Sequence, residues 1–330
     1  MELKNDCYRN NIFRFLSYYI LCMKFTVIMP VFNEMNNIKT VLEWIYKQTR
    51  KPDEIIIADW WSKDWTYEFL KWEEKKWNLK VIKSGNIAES RNAAIKISSN
   101  DLILCTDAWC EVDPHWCEAF LNLYEKSDAK VAWWQSELII KSDFQKKSSY
   151  HVNLHKTKPF FSSRNISFYR KVWKEAWWYP EYLTLWWEDT LFNYNIEKKW
   201  YEIVYCKKAI VKWAWRDGYK EVYNMYRNYT QWDAEVYMIH GIKQSQSINQ
   251  AILLSLALVI LIILAIFIRW YIVIPLFLWF MVAGLYKRTK WWFLFDMCFT
   301  TAKTYWIFVW FRKWVVKWIK IKSKMNKTKK

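Results

Sequence analysis

The sequence predicts an α/β fold built on a doubly wound, mostly parallel sheet. Three observations support this: short apolar runs rich in Ile and Val, amphipathic stretches between them, and acidic residues where several runs end. Strands that alternate with helices pair in parallel, because each helix carries the chain back to the same end of the sheet. Ligands of such sheets bind beyond the carboxyl ends of the strands, so the acidic ends indicate a ligand site at one edge.

The predicted elements follow one another in a regular order. Runs of β-branched and aromatic residues predict strands, as in FTVIMPVF at 25–32 and EIIIAD at 54–59. The stretch at 35–49 predicts a helix, because its apolar residues recur at helical spacing on one face. That face holds Ile38, Val41, Leu42 and Ile45. The same two signals predict helices at 66–77, 88–98 and 115–126, and strands at 79–84, 101–107 and from 129 to 134.

The composition bounds the class of protein. The chain has 330 residues, which allows one large α/β domain and an appendage. Its net charge of +18 favours anionic partners: nucleic acid, anionic lipid or phosphate-bearing ligands. Its seven Cys are odd in number and lack a CxxC pair, which predicts reduced thiols rather than a disulfide framework or a zinc site.

Two apolar, uncharged stretches predict a C-terminal transmembrane hairpin at 250–286, with helices at about 250–268 and 271–286. The first stretch is long enough to cross a bilayer, and the second returns the chain to its starting side. Residues 287–330 are predicted to form an interfacial amphipathic segment and a basic, Lys-rich tail on anionic headgroups. Because Lys and Arg concentrate on the cytoplasmic side, we expect a cell-membrane protein whose globular domain is cytoplasmic.

Residues 1–22 are predicted to be a mis-assigned N-terminal extension. Their apolar stretch at 12–22 is too short to span a bilayer and is interrupted by Arg14. Met23 directly precedes the first predicted strand, so we expect translation to begin there. The predicted globular domain then occupies residues 23–245.

The tryptophan content conflicts with the predicted turns. The chain has 27 Trp and 4 Gly, whereas a chain of this length ordinarily has roughly 23 Gly. Several Trp residues form doublets where a turn is predicted, such as Trp60-Trp61 after the strand at 54–59. Turns with positive φ favour Gly, because a Cβ is strained in that conformation.

Several motifs over about residues 24–235 resemble the family 2 glycosyltransferases of the GT-A fold. The segment PVFNE at 30–34 matches their P-x-[YF]-N-E strand end, and DWWSKDWT at 59–66 matches their D-G-[GS]-S-x-D-G-T turn if its three Trp are read as Gly. The same replacement restores family patterns at 106–109, 176–181, 185–192, 198–202 and 231–235, whereas Trp116, Trp173 and Trp213 fit as Trp.

This pattern predicts that the gene uses the codon UGA for Gly and that the sequence was translated with a table that reads UGA as Trp. Trp at turns with positive φ would be strained, and several together would disrupt a binding pocket. The alternative is a protein that is genuinely rich in Trp.

The resemblance implies a donor-binding site at the ends of the first two strands. In the family, residues matching Pro30, Phe32 and Glu34 shape the pocket for base and ribose, and the acid matching Asp59 bonds the base. Arg91 follows a glycine loop at the start of a helix, and a guanidinium suits a diphosphate because its fork is planar and always charged. The alternatives are an Asx turn for Asp59 and a solvated helix arginine for Arg91.

Asp107 matches the first acid of the family's D-x-D motif, which holds the ribose and a divalent cation. Carboxylate and phosphate oxygens suit Mg²⁺ or Mn²⁺. The chain departs from the motif at position 109, which is Trp as written and Gly if recoded. Neither is a metal ligand, so the departure leaves open whether Asp107 holds a metal.

The pair Glu188-Asp189 matches the family's E-D motif, which lies near the acceptor. An inverting transfer needs one base to take the proton of the attacking hydroxyl, and we assign this role to Asp189, with Glu188 in support. The alternative for Asp189 is capping of a helix N-terminus. Arg164 and Asn165 match positions on the acceptor side.

These implications predict a membrane-anchored, inverting glycosyltransferase. It would move a sugar from a nucleoside-diphosphate sugar to a cell-surface glycan or a lipid-linked acceptor, with membrane lipids as further partners and no nucleic acid. One alternative is a nucleotidyltransferase, although its Gly-rich phosphate loop is missing from the N-terminal region. The other is a membrane-tethered aromatic and basic surface that binds nucleic acid or glycans without catalysis.

Overall fold

A computed structural model describes residues 23–149, 161–183 and 187–240, together with residues 253, 256, 257, 259 and 260. The predictions for residues 1–22 and 287–330, and for nearly all of the hairpin at 250–286, lie outside these residues. Within the described part of the chain, no helix combines the length and the apolar character that a bilayer span requires.

The chain divides into two compact units. The first comprises Met1–Ile140 and His151–Trp215, and the second comprises Lys141–Tyr150 and Arg216–Lys330. The described residues of the first unit form the strands β1 (Phe25–Val31), β2 (Glu54–Asp59), β3 (Leu79–Lys83), β4 (Leu102–Cys105), β5 (Cys110–Val112), β6 (Val131–Trp133), β7 (Glu137–Ile139), β8 (Ile166–Tyr169), β9 (Ile203–Tyr205) and β10 (Val211–Ala214).

The described α-helices of both units, in chain order, are α1 (Ile38–Tyr46), α2 (Thr66–Glu73), α3 (Ile87–Ile97), α4 (Trp116–Lys126), α5 (Asp143–Ser148), α6 (Arg170–Glu175), α7 (Glu188–Lys198) and α8 (Tyr219–His240). A short 3₁₀ turn, Ser163–Asn165, precedes β8. Only α5 and α8 of these helices belong to the second unit.

The main sheet has seven strands in the order β3-β2-β1-β4-β8-β6-β9. The four strands β3, β2, β1 and β4 run parallel, as predicted from the alternation of strands and helices. Strand β8 is antiparallel to both β4 and β6, so the sheet is mostly rather than entirely parallel. Because β1 and β2 are in register with Val31 beside Asp59, the ends of these strands meet at one edge.

A smaller sheet lies beside that edge in the order β5-β10-β7. Strand β10 pairs antiparallel with β5 and parallel with β7. In this register Trp213 faces Cys110, which comes three residues after Asp107. The smaller sheet therefore places β10 next to the turn that follows β4.

The core lies on both faces of the main sheet. Alternate residues of β1 point to opposite faces, so Val27 and Met29 pack in one apolar cluster and Ile28 in the other. Helices α1 and α4 cover the first face, and helices α3, α6 and α7 cover the second. The predicted apolar face of α1 is confirmed, because all four of its residues are buried in the first cluster.

The second unit is described through α5 and α8. Ser142 caps α5 by accepting a hydrogen bond from Gln145 N, and its Oγ donates to Asp217 Oδ1 at 2.8 Å. The rings of Phe144 and Tyr219 meet edge to face with centroids 4.6 Å apart. Helix α5 is therefore tied to the start of α8.

Candidate active site

The loops after β1 and β2 interlock at the edge of the main sheet. Asn33 N donates to Ser62 Oγ at 2.8 Å, and Lys63 N donates to Asn33 Oδ1 at 2.8 Å. Asp59 Oδ1 accepts from Ser62 N at 3.0 Å, but its buried Oδ2 has no hydrogen-bond partner among the described residues. A buried carboxylate oxygen without a donor is costly, so the fully buried Asp59 has one unsatisfied acceptor at this edge of the sheet.

The other predicted donor residues surround this point with different accessibility. Pro30 is buried within β1, whereas Phe32 is exposed, and its ring lies 4.3 Å from that of Trp60. Glu34 is half-buried, and its Oε2 accepts from Asn37 Nδ2 at 2.9 Å. Phe32 is therefore accessible to a ligand, while Pro30 shapes the strand beneath.

Arg91 joins two acids that lie far apart in the sequence. Its Nη2 donates to Asp107 Oδ1 at 2.8 Å, and its Nη1 donates to Glu188 Oε1. All three side chains are at most 5% exposed. The structure thus brings together the Asp that the sequence assigns to the donor and the Glu that it assigns to the acceptor side, through one guanidinium.

Burial changes the pKa values of Glu188 and its neighbour Asp189. Burial and the nearby charge of Asp189 together raise the pKa of Glu188 to about 7, against the opposing charge of Arg91. Burial also raises the pKa of Asp189, against the opposing charges of Arg91 and Arg164. A carboxylate whose pKa moves toward neutral becomes a better proton acceptor, so this pair suits acid–base chemistry.

Asp189 lies in the first turn of α7. Its Oδ1 accepts from Thr190 N at 2.8 Å, and its Oδ2 accepts from Ser163 N at 3.4 Å. The N-cap of α7 is Trp187 and makes no side-chain capping bond, so Asp189 does not occupy the capping position. The side chain is half-buried, which leaves it accessible for contact with a substrate.

The two predicted acceptor-side residues differ in burial and in their contacts. Arg164 is half-buried, with its guanidinium carbon 4.4 Å from the centroid of the Trp213 ring. Asn165 is fully buried: its Oδ1 accepts from Trp116 Nε1 at 2.8 Å, and its Nδ2 donates to Ala209 O at 2.8 Å. Asn165 therefore secures the core beneath the site and is not accessible to an acceptor.

Sequence reasoning missed two residues that organise the site. The ring of Tyr179 lies 5.5 Å from the Arg91 guanidinium, and its hydroxyl is 3.0 Å from Ser163 Oγ. Asn92 holds the backbone of Tyr179 by accepting from its N at 3.0 Å and donating to its O at 2.8 Å. The Asn that directly follows Arg91 was the available signal, and the structure shows that its amide is buried and therefore needs partners.

The described residues do not form a metal site on their own. Within 23–149, 161–183 and 187–240, no three His, Cys, Asp or Glu side chains are arranged to hold an ion. Asp107 has one oxygen engaged by Arg91, and position 109 supplies no ligand. Asp107 is therefore the acid of this motif that could contribute to a divalent cation, and phosphate oxygens of a donor would supply most of the remaining ligands.

Three comparisons place the chain among known proteins. Residues 26–179 match the model of the family described as Glycosyl transferase family 2. Comparison with curated protein sequences gives no significant match. Among solved structures, the mannosyltransferase PcManGT from Pyrobaculum calidifontis, in complex with GDP-Man and Mn²⁺, has a TM-score of 0.61 at 16% identity and covers 85% of each chain.

A second solved structure is TarS 1-349 of S. aureus in complex with UDP-GlcNAc. It has a TM-score of 0.47 at 21% identity, covering 63% of this chain and 66% of that chain. The family match and the likeness to PcManGT confirm the predicted GT-A-like α/β fold with its mostly parallel sheet.

Proposed function

We propose that residues 26–179 form a family 2 glycosyltransferase domain. On that premise, the protein moves a sugar from a nucleoside-diphosphate sugar to an acceptor hydroxyl with inversion. The observation that carries the proposal is the bridge of Arg91 between Asp107 and Glu188. It joins a donor-side acid to an acceptor-side acid in one buried group. No observation favours nucleotidyl transfer or binding without catalysis.

The donor side of the proposal rests on Asp59 and Phe32. The unpartnered Oδ2 of Asp59 suits an N–H of a nucleotide base, and the exposed ring of Phe32 suits stacking on that base. The fold neighbour PcManGT was solved with GDP-Man, which supports a nucleotide sugar as the class of donor. The identity of base and sugar follows from neither observation.

The chemistry is a single displacement at the anomeric carbon. Asp189 takes the proton of the acceptor hydroxyl as its oxygen forms a bond to that carbon. The bond from the carbon to the diphosphate oxygen breaks on the opposite side, and the nucleoside diphosphate leaves with the electron pair. The charge of Arg91, which is paired with Glu188, opposes the effect of burial on the pKa of Asp189 and so favours its ionised form.

Donor binding gives the first test of this proposal. We expect one of UDP, GDP or dTDP to bind the full-length protein in calorimetric titrations, and Asp59→Asn to weaken that binding about tenfold or more, because a hydrogen bond to a charged group is lost. Asp101→Asn is the matched control, since the Asp101 side chain is 86% exposed before β4. Equal affinity of the Asp59→Asn and parent proteins would contradict the assigned base site.

We further propose a cell-membrane location with the catalytic domain cytoplasmic and a glycan or lipid-linked acceptor. The support is the apolar sequence at 250–286 and the Lys-rich sequence that follows. Deleting residues 250–330 is expected to release the protein from membranes. Fractionation at high salt provides the measurement, because salt screens the attraction between a Lys tail and lipid. If the truncated chain still sediments quantitatively with membranes, the hairpin is not the main anchor.

The recoding of UGA as Gly is also proposed, and the backbone supports it. Six Trp residues have φ between 61° and 72°, in the left-handed region that favours Gly. They are Trp61, Trp65, Trp177, Trp178, Trp187 and Trp200, all within the segments where Gly restores the family patterns. By contrast, Trp116 and Trp173 are buried, and their Nε1 atoms donate to Asn165 and Asn92.

A further inference from the structure

We infer that Arg164, and not Arg91, is the cation that contacts the diphosphate of the donor. The inference rests on the proposed function and reassigns both arginines. The sequence places Arg91 on the diphosphate and Arg164 on the acceptor side. The hydrogen bonds and the burial of the two guanidinium groups instead favour Arg164 as the residue that contacts the phosphates.

Both terminal nitrogens of Arg91 are already committed, while its Nε is buried and has no hydrogen-bond partner among the described residues. Its side chain is 2% exposed, and its two terminal nitrogens donate to Asp107 and Glu188. The ring of Tyr179 covers the guanidinium at 5.5 Å. A phosphate could reach the terminal nitrogens of Arg91 only by displacing a buried carboxylate, which would leave that carboxylate without its partner at a large cost. Arg91 therefore acts as a positioning residue for the two acids.

Arg164 is held in place but its charged end is free. Its Nε donates to Ser162 Oγ at 2.8 Å, and its guanidinium lies over the Trp213 ring at 4.4 Å. Among the described residues, none accepts a hydrogen bond from its two Nη atoms. A half-buried guanidinium that is fixed through Nε and one face presents its remaining donors as a preorganised fork.

The contacts of Arg164 place it between the two acids that the reaction needs. The next residue toward the N-terminus, Ser163, donates its N–H to Asp189 Oδ2 at 3.4 Å. On the other side, Trp213 is in register with Cys110, whose N donates to Asp107 O at 3.1 Å. The charge of Arg164 also lowers the pKa of Asp189 against the effect of burial. All three observations place the Arg164 guanidinium near the line from Asp107, the acid on the donor side, to Asp189, the proposed base.

A cation at this place suits the charge that develops during transfer. Negative charge grows on the diphosphate as the bond from the anomeric carbon to its oxygen breaks. Guanidinium donors bind phosphate oxygens in pairs, and donors that are already oriented stabilise the departing charge most. Arg164 would therefore supply a positive charge of the protein for the leaving group.

The test compares Arg164→Gln with Lys171→Gln. Lys171 is an equally charged residue of the same unit, with its side chain 78% exposed on α6, so the control removes the same net charge. The test uses the full-length protein and the nucleoside diphosphate that the parent binds best. Arg164→Gln is expected to weaken the binding of that nucleotide by about 10- to 100-fold, because hydrogen bonds to a charged group are lost. Binding of the corresponding nucleoside, which has no phosphate, should change less than twofold.

Further variants separate the possible outcomes. Arg91→Gln is expected to lower the thermal unfolding temperature strongly, whereas Arg164→Gln should leave it nearly unchanged. If Arg164→Gln binds the nucleoside diphosphate as the parent does, the inference is wrong, even if sugar transfer is lost. The parent protein could bind none of UDP, GDP and dTDP and still bind inorganic pyrophosphate more tightly than Arg164→Gln does. That result would contradict the proposed nucleotide donor but support Arg164 as a phosphate contact.

Discussion

Asp189→Asn is expected to lower the rate of sugar transfer by about 10²–10⁴-fold, the usual loss when a general base is removed. The amide keeps the shape of the side chain, and its single oxygen can keep one of the two hydrogen bonds that the carboxylate oxygens accept from Ser163 N and Thr190 N. It cannot take the proton of the attacking hydroxyl at neutral pH. Donor affinity should survive, because Asp59 and Arg164 carry that task in our assignment.

The measurement is turnover and donor affinity for the same set of proteins. Asp101→Asn provides the matched control, since it makes the same chemical change at the opposite end of β4 from Asp107. Turnover of Asp189→Asn at the parental rate would remove Asp189 as the base and leave Glu188 as the candidate. Loss of donor binding along with turnover would instead place the pair Glu188-Asp189 in the donor site.

Replacing Trp by Gly is expected to have opposite effects at two classes of position. Trp65 and Trp200 are 74% and 94% exposed with φ of 71° and 61°. The strain of a left-handed residue is about 1–2 kcal/mol, and the extra unfolded-state entropy of Gly offsets about 0.4–1 kcal/mol of it. Each of Trp65→Gly and Trp200→Gly should therefore stabilise the protein, by about 0.5–1 kcal/mol.

Trp116→Gly is the matched control, because it makes the same chemical change at a buried position. It removes a large core side chain and the hydrogen bond to Asn165, which should destabilise the protein by about 3–5 kcal/mol. Urea unfolding of the three variants measures both effects. Destabilisation by Trp65→Gly and Trp200→Gly would favour a protein that is genuinely rich in Trp.

The gene offers an independent check of the recoding. We expect UGA codons at Trp60, Trp61, Trp65, Trp109, Trp178, Trp187 and Trp232, and UGG codons at Trp116, Trp173 and Trp213. The left-handed backbone at Trp177 and Trp200 extends the first set to those two positions. UGG codons throughout the first set would end the recoding hypothesis, and mass spectrometry of native peptides reports the same distinction.

The sequence was sufficient for the features that depend on local pattern. The strands β1 and β2 and the apolar face of α1 follow from periodicity alone, and the ends of parallel strands meet wherever such a sheet forms. Strand β8 was not predicted, because ISFY is short and is antiparallel to both neighbours.

The contacts within the site depend on residues that are distant in the chain. Arg91 and Glu188 are 97 positions apart, so their ion pair could not be inferred from either motif. Asn165 was assigned to the acceptor side by its neighbours in sequence, but its partners Trp116 and Ala209 draw it into the core. The motifs assign residues to the site, but the partners that orient each side chain lie elsewhere in the chain.

The central claim is that Asp189 and the group around Arg91 catalyse sugar transfer from a nucleotide donor. The most direct measurement is release of nucleoside diphosphate from UDP-, GDP- and dTDP-sugars by the full-length protein carrying Gly at the left-handed positions, with its Asp189→Asn variant alongside. We predict release from one class of donor, with a rate at least about 100-fold lower in the variant. Equal release by both proteins, in a preparation that binds the nucleotide, would contradict the account.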